Sequence, residues 1–299
     1  MSFVRSLFTA ASAAVLAVSA HAEMTVTTPA GELSLDSVPE VIVAMDNGAL
    51  DTIYALGGSV AAMTMPNYLA HLEGQLDDVE SVGSAFEPSF EAIANIAPDL
   101  TIVGARGARF MGELANIGPA AVMSVGYGNN DFADTLTLTA AYGEILGKQA
   151  EAANLIADME AKLAEARAVS EGAGNALIII VSGDEIAAYG LDSRFGWLHH
   201  EFGIGEAVVD LEPGRHGQAI SNEFIAEINP EYLLVIDRST AIGRGEPATT
   251  ALNNPLVNGT TAGQSGNIIY LPAAEIYIGT GGHTSMMIVL DSIIEAFGG

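Results

Sequence analysis

Two stretches of this chain, 132 positions apart, follow one plan. Glu91-Ala-Ile-Ala-Asn-Ile-Ala-Pro98 leads through Asp99 into the apolar run Leu100–Val103, and Glu223-Phe-Ile-Ala-Glu-Ile-Asn-Pro230 leads through Glu231 into Tyr232–Ile236. In each, an amphipathic turn or two of helix is stopped by proline and followed by a buried-type strand. Both strands run out into arginine: Arg106 and Arg109 after the first, Arg238 after the second. A unit that recurs at this distance predicts two similar lobes.

The rest of the chain fits that frame. Residues 23–40 are turn-rich and read as a small hairpin. Strands are expected at Val41–Met45, Val60–Met63, Leu100–Val103 and Ala120–Val125, with helices between them, one of them opened by Pro66-Asn-Tyr-Leu69. From Phe132 to Glu171 the apolar spacing is helical, with Gly147 as a break; the second part, Gln149–Val169, is long enough to bridge two lobes. Strands resume at Ala176–Val181, Glu185–Tyr189 and Asn267–Leu271, and Thr284 is placed to cap a last helix. The expected fold is α/β: two Rossmann-like lobes with mainly parallel sheets, joined by a single long helix. The expected divisions are a signal peptide over 1–22, an N-terminal lobe over 23–147, a linking helix over 148–171 and a C-terminal lobe over 172–299.

The leader reading rests on Arg5, the apolar run Leu7–Ser19 and Ala20-His-Ala22. It predicts export to the periplasm, and the absence of Cys removes both disulfides and a lipid-anchor cysteine. No later apolar run is long enough to span a bilayer.

The charge is extreme: 37 Asp and Glu against 10 Lys and Arg, a net −27. This argues against nucleic acid and anionic membranes as partners. The few cations are therefore informative. Lys148, Lys162 and Arg167 fall in the long helical segment, whereas Arg106, Arg109, Arg194, Arg215, Arg238 and Arg244 follow strand ends or sit in glycine-flanked turns. Ligands of open α/β sheets lie beyond the carboxyl ends of the strands, and the planar guanidinium suits anionic oxygens. A local cationic pocket in an acidic protein is the expectation.

Catalytic signatures are missing. There is no phosphate loop, no Gly-x-Gly-x-x-Gly after a strand, no His-Glu-x-x-His and no Gly-x-Ser-x-Gly. Of the histidines, His199 and His200 on a helix and His71 read as structural. His216, between Arg215 and Gly217 beside the expected cleft, reads as functional, and His283 in Gly281-Gly-His-Thr stays open between a helix start and a cleft residue. Tyr277, in a loop after a strand, is the other candidate; a His nitrogen and a Tyr oxygen can complete the shell of a ferric ion held by hard oxygens. Glu91 and Glu223 are too symmetric for an acid–base pair and read as matched surface positions.

With these motifs in place, the chain resembles the periplasmic ferric-siderophore binding proteins of ABC importers, and among them the catecholate (enterobactin-type) receptors. The resemblance covers nearly all the chain after the leader and is strongest at Ala188-Tyr-Gly-Leu-Asp-Ser-Arg-Phe-Gly196, Gly214-Arg-His-Gly-Gln-Ala-Ile-Ser-Asn-Glu-Phe224, Val235-Ile-Asp-Arg238 and Pro66-Asn-Tyr-Leu69. It implies a non-enzymatic, monomeric receptor with no intrinsic cofactor, whose ligand is Fe(III) as a siderophore complex and whose partner is an inner-membrane ABC permease. It implies that Arg106, Arg194 and Arg238 contact the catecholate oxygens, with Tyr68 and Arg109 also at the ligand. His216 and Tyr277 bind iron, with His283 as a substitute for the tyrosine, and Glu91 and Glu223 meet the permease. Around Tyr277 the chain reads Glu275-Ile-Tyr277, with fewer aromatic residues than such receptors carry. Haem, cobalamin and ferric hydroxamates are the rival ligands within the class. A metal-dependent hydrolase lacks its base and metal cluster, and a bare zinc or manganese receptor needs several converging His and carboxylate ligands.

Overall fold

The computed structural model describes residues 24–126, 131–214 and 216–298. The leader assigned to residues 1–22 lies outside them, as does Arg215. The first lobe opens with an antiparallel hairpin, β1 (Met24–Thr28) and β2 (Gly31–Leu35). It continues with β3 (Ile42–Met45), α1 (Asn47–Ala55), β4 (Ala62–Met63), β5 (Glu80–Ser81), α2 (Phe90–Ile96), β6 (Leu100–Val103), α3 (Met111–Leu114) and β7 (Ala120–Val122). Two long helices follow, α4 (Asp131–Ile145) and α5 (Gln149–Ser170), broken at Gly147. The second lobe contains β8 (Asn175–Ser182), β9 (Glu185–Tyr189), α6 (Trp197–Phe202), β10 (Gly205–Glu206), β11 (Gln218–Ile220), α7 (Asn222–Ile228), β12 (Tyr232–Asp237), α8 (Arg238–Ala241), α9 (Ala248–Leu252), α10 (Pro255–Asn258), α11 (Thr261–Ser265), β13 (Ile268–Tyr270), α12 (Ala273–Tyr277) and α13 (His283–Phe297).

The first sheet has the order β5-β4-β3-β6-β7 with parallel pairs throughout. The second has the order β11-β9-β8-β12-β13, with β10 also on β8; its β8, β12 and β13 are parallel and its β9–β11 edge is antiparallel. The central strands bury both faces, which is why they read as unbroken apolar runs. Ile178 and Ile180 face one core and Leu177, Ile179 and Val181 the other, the two-residue alternation of a strand.

The repeated unit folds the same way twice. Ser89 and Ser221 cap α2 and α7 by accepting from the Ala92 and Phe224 N–H groups. Both helices end on a left-handed residue, Ala97 at φ 51° and Asn229 at φ 50°, followed by proline and a central strand. Ile93 and Ile225 are the fully buried anchors of the two helices.

Helix α5 joins the lobes physically: Ala152 packs in the first lobe's core, and Met159, Leu163 and Ala166 pack in the second's. Helix α4 also crosses, with Phe132 in the second core and Leu138, Tyr142 and Ile145 in the first. Among the described residues no helix is long and apolar enough to cross a membrane.

Three expected local structures differ. Pro66–Leu69 opens no α-helix, because the Asn67 amide bonds both the Leu69 N–H (3.0 Å) and its carbonyl (2.9 Å), closing a local turn instead; only the short 3₁₀ turn Ala70–Leu72 follows. Tyr277 is the last residue of α12 rather than part of a loop. The cap of α13 is not Thr284. Asp51, on α1 of the other lobe, accepts from the Thr284 N–H (3.0 Å) and the Ser285 N–H (2.7 Å), while the His283 N–H donates to Thr52 Oγ1 (3.1 Å). The lobes touch closely here: a Cβ on Gly48 would lie 2.5 Å from the Thr280 carbonyl oxygen.

Candidate functional site

Each lobe presents the point where its strand order reverses, the position at which open α/β sheets bind ligands. In the first lobe the β3 and β6 ends lead to Asp46 and Arg106; in the second the β8 and β12 ends carry Ser182 and Arg238. Arg194 comes from the turn between β9 and α6. These ends face one another across a cavity of about 890 Å³ whose lining includes Arg106, Arg194, Arg238, His216, Tyr277 and Tyr189.

Tyr277 is the centre of the arrangement. Its ring centroid lies 4.6 Å from the Arg194 guanidinium carbon, 5.8 Å from that of Arg106 and 5.9 Å from that of Arg238. Arg238 Nε donates to its hydroxyl at 3.0 Å, and Arg194 Nη2 donates to its backbone carbonyl at 2.8 Å. Arg238 is steadied further by donating from Nη1 to Ser182 Oγ at 2.9 Å. The neighbouring Asp237 forms no ion pair with it within 4.0 Å; its oxygens accept from the Thr240 and Ala248 N–H groups instead. Burial alone would raise the Tyr277 phenol, but the Arg238 hydrogen bond and the charges of Arg238, Arg194 and Arg106 bring its pKa below the usual tyrosine value.

Ion pairs elsewhere sharpen the contrast. Lys162 is paired with Asp291 and Arg167 with Glu201 on the outer surface, while no described carboxylate stands within 4.0 Å of Arg106, Arg238 or Arg244. In a chain with 37 acidic residues these guanidinium groups are kept available. Beneath them, burial pushes the Asp46 carboxyl up to about 6, against the opposing Ala49 N–H bond and the Arg106 charge. Burial likewise pushes the Tyr189 phenol up to about 12. The cavity is not uniformly cationic: exposed Asp184 and Glu185 also line it.

His216 reaches the cavity on a loop tied at both ends. Ser193 and Gly214 form a bridge beside Arg194, and Gln218 pairs with Ala188. Gly217 makes the turn at φ 68°, where a Cβ would lie 2.6 Å from the Ala188 carbonyl oxygen. The imidazole is solvent-exposed at the cavity wall.

The chain, two α/β lobes bridged by α5 around an arginine-lined cleft, can be set beside known proteins. A family model described as periplasmic binding protein matches residues 42–275. The chain belongs to the periplasmic binding protein family. It is 32% identical over 257 residues to the petrobactin-binding protein YclQ of Bacillus subtilis, covering 83% of this chain and 79% of that one. It is 29% identical over 278 residues to the ferric-anguibactin-binding protein FatB of Vibrio anguillarum, covering 89% and 85%. The crystal structure of YclQ superposes with a TM-score of 0.84 at 29% identity, covering 92% of this chain and 99% of that one. The periplasmic catecholate-siderophore binding protein VctP of Vibrio cholerae superposes with a TM-score of 0.83 at 28% identity, covering 92% and 100%.

Within this periplasmic binding protein the residues singled out in the sequence fall in several places. Arg106, Arg194, Arg238, His216 and Tyr277 share the main cavity. Tyr68 lines an adjoining cavity of about 340 Å³, to which Arg106, Arg238 and Tyr277 also contribute. Arg109 lines neither: its guanidinium donates to the Phe86 carbonyl at 3.0 Å and lies over the Phe110 ring. His283 is buried at the start of α13 and faces the interlobe packing, not the cavity. Glu91 and Glu223 sit exposed in the first turns of α2 and α7. His199 bonds the Ile204 carbonyl and is a core histidine. His71 lies between the lobes, 3.5 Å from Asp51 and 3.9 Å from Glu275.

Sequence reasoning passed over Asp46, Ser182 and Tyr189. Asp46 directly follows β3 and Ser182 is the last residue of β8, the same topological signal that marks the arginines, but their short polar side chains carry no distinguishing composition.

Proposed function

We propose that this chain is a receptor that captures a ferric siderophore of catecholate type in the interlobe cleft and delivers it to an inner-membrane ABC importer. The observation that carries this reading is the convergence of three guanidinium groups on Tyr277, in a chain with only 10 basic residues against 37 acidic ones. Such a cleft is complementary to an anion whose charge is spread over several oxygens. A bound ligand that excludes water from it strengthens each contact.

In this reading Arg106, Arg194 and Arg238 neutralise the catecholate oxygens. The Tyr277 oxygen, already biased toward phenolate, and a His216 nitrogen fill the two iron positions that a tetradentate siderophore leaves open. The ferric ion is cargo held by the siderophore, in keeping with the described residues, which offer no group of three or more His, Asp or Glu for a metal alone. Glu91 and Glu223, one on each lobe at matched places, meet the permease. Residues 1–22 direct export and are removed. The receptor works as a monomer and catalyses no reaction.

The test is titration of the intact protein with ferric bis- and tris-catecholates, ferric hydroxamates and haem, followed by quenching of Trp197. Ferric catecholates are expected to bind in preference to the others, with a broad charge-transfer band. A Soret band with haem at comparable affinity, or preference for the hydroxamate, would overturn the assignment.

A further inference from the structure

The smaller cavity, of about 340 Å³, adjoins the main one and shares Arg106, Arg238 and Tyr277 with it. The rest of its wall comes from both lobes and is largely apolar, with Met65, Pro66, Tyr68 and Phe86 from the first and Ile242 from the second, interrupted by the polar Asn47, Thr64 and Ser84. Phe86 is 65% exposed, held out at the tip of a turn in which Ser84 Oγ accepts from the Phe86 and Glu87 N–H groups. One further cation lines the chamber. Arg244 sits between Gly243 and Gly245, both at positive φ, and its backbone N–H is fixed to the Ser239 carbonyl at 2.9 Å. No described carboxylate stands within 4.0 Å of its guanidinium. A chamber with aromatic and aliphatic walls, the shared Arg106 and Arg238 on one side and Arg244 as its own cation, is matched to a flat ring bearing a negative charge.

The chamber is less than half the size of the main cavity and opens beside the residues that hold the chelate there. It is therefore shaped for part of a ligand, not for a second whole one. Resting on the siderophore reading of the main cleft, we propose that this chamber is a second subsite. It holds an aromatic arm, carrying a carboxylate or phenolate, of the same iron chelate. Arg244 takes the anionic end, and Tyr68 and Phe86 take the ring. Because its walls belong to different lobes, an arm seated there also bridges them, so the subsite selects for long siderophores over compact ones.

The full-length protein after leader removal is titrated with two ferric complexes of one bis-catecholamide, one bare and one extended by a carboxybenzyl arm. The extended complex is expected to bind the unaltered protein about tenfold more tightly, the size of effect given by one charge-assisted contact. Arg244→Gln is expected to remove most of that gain while changing the bare complex less than about twofold, and Phe86→Ala to reduce the gain several-fold. Equal binding of the two complexes by the unaltered protein, or equal losses for both in Arg244→Gln, overturns the subsite while leaving the main cleft intact. Failure of the bare complex to bind the folded, unaltered protein overturns the siderophore reading itself, and the subsite with it. Both substituted residues are exposed, so far-ultraviolet circular dichroism matching the unaltered protein accompanies each titration as its control.

Discussion

Arg238 donates from Nε to the Tyr277 hydroxyl at 3.0 Å, although the two residues are 39 positions apart and lie on different elements. This bond, backed by the charges of Arg194 and Arg106, holds the phenol pKa down, whereas Tyr54, Tyr142, Tyr189 and Tyr270 are all pushed up by burial. Absorbance at the phenolate band should therefore begin to rise, on raising pH, with Tyr277. The first phase of that titration is expected to disappear in Tyr277→Phe and to shift upward in Arg238→Gln.

Direct ligation of iron predicts a dependence on denticity. His216→Ala and Tyr277→Phe should each weaken a tetradentate ferric complex by about tenfold or more, and a hexadentate one by less than about threefold, since the latter leaves no open position. Equal losses for the two complexes in fluorescence titrations would remove the ligation claim.

Replacing Arg106, Arg194 or Arg238 singly with Gln should cost about tenfold to a hundredfold in affinity for any anionic ferric catecholate, the range for a charge-assisted contact that is mostly desolvated. Arg109→Gln should change affinity little, because Arg109 is engaged with Phe86 and Phe110 outside the cavity. Titration calorimetry of the four variants separates the two groups.

The His71 site predicts a pH dependence of stability. Its nearest partners, Asp51 on the first lobe and Glu275 on the second, raise the imidazole pKa to about 9 against a burial effect that lowers it. A group whose folded pKa lies above its unfolded value stabilises fully below the unfolded value and loses that contribution as pH rises through the folded one. The benefit, about 1–2 kcal/mol for a charged group in a partly buried site, is thus expected below about pH 6.5 and gone above about pH 9. Urea unfolding of the unaltered protein and of His71→Gln should differ at pH 6 and converge at pH 10.

The surplus of acid predicts a response to salt. With 37 carboxylates against 10 basic residues, self-repulsion opposes compactness, and ions screen it within a Debye length of about 10 Å at 0.1 M. The thermal midpoint should rise by several degrees between 10 mM and 1 M sodium chloride; a flat curve would show that the charges are already compensated locally.

Much of this was legible in the residues because it follows from periodicity and breakers. The two short helices, their prolines and their buried strands announce themselves at 91–103 and 223–236, and the arginines that end them stand out because cations are so rare. What escaped is what depends on distant partners. Thr284 has the chemistry of a cap, but Asp51 reaches α13 first, from more than 230 positions away. Tyr277 looked like loop because the glycines after it hide the single turn of α12 before it. Asn67 closed its own turn where a helix was expected. His283, left open in the sequence between a helix start and a cleft residue, is the first residue of α13 and buried, and no local pattern decides between the two.

The bonds from residues 283–285 to Asp51 and Thr52 also bear on how the molecule is made. The first lobe's α1 is not fully seated until the last fifteen-residue helix has been synthesised and has swung back across the whole polypeptide. Clipping the chain before that helix would thus loosen both halves at once, and a molecule still on the ribosome stays unfinished until α13 has emerged.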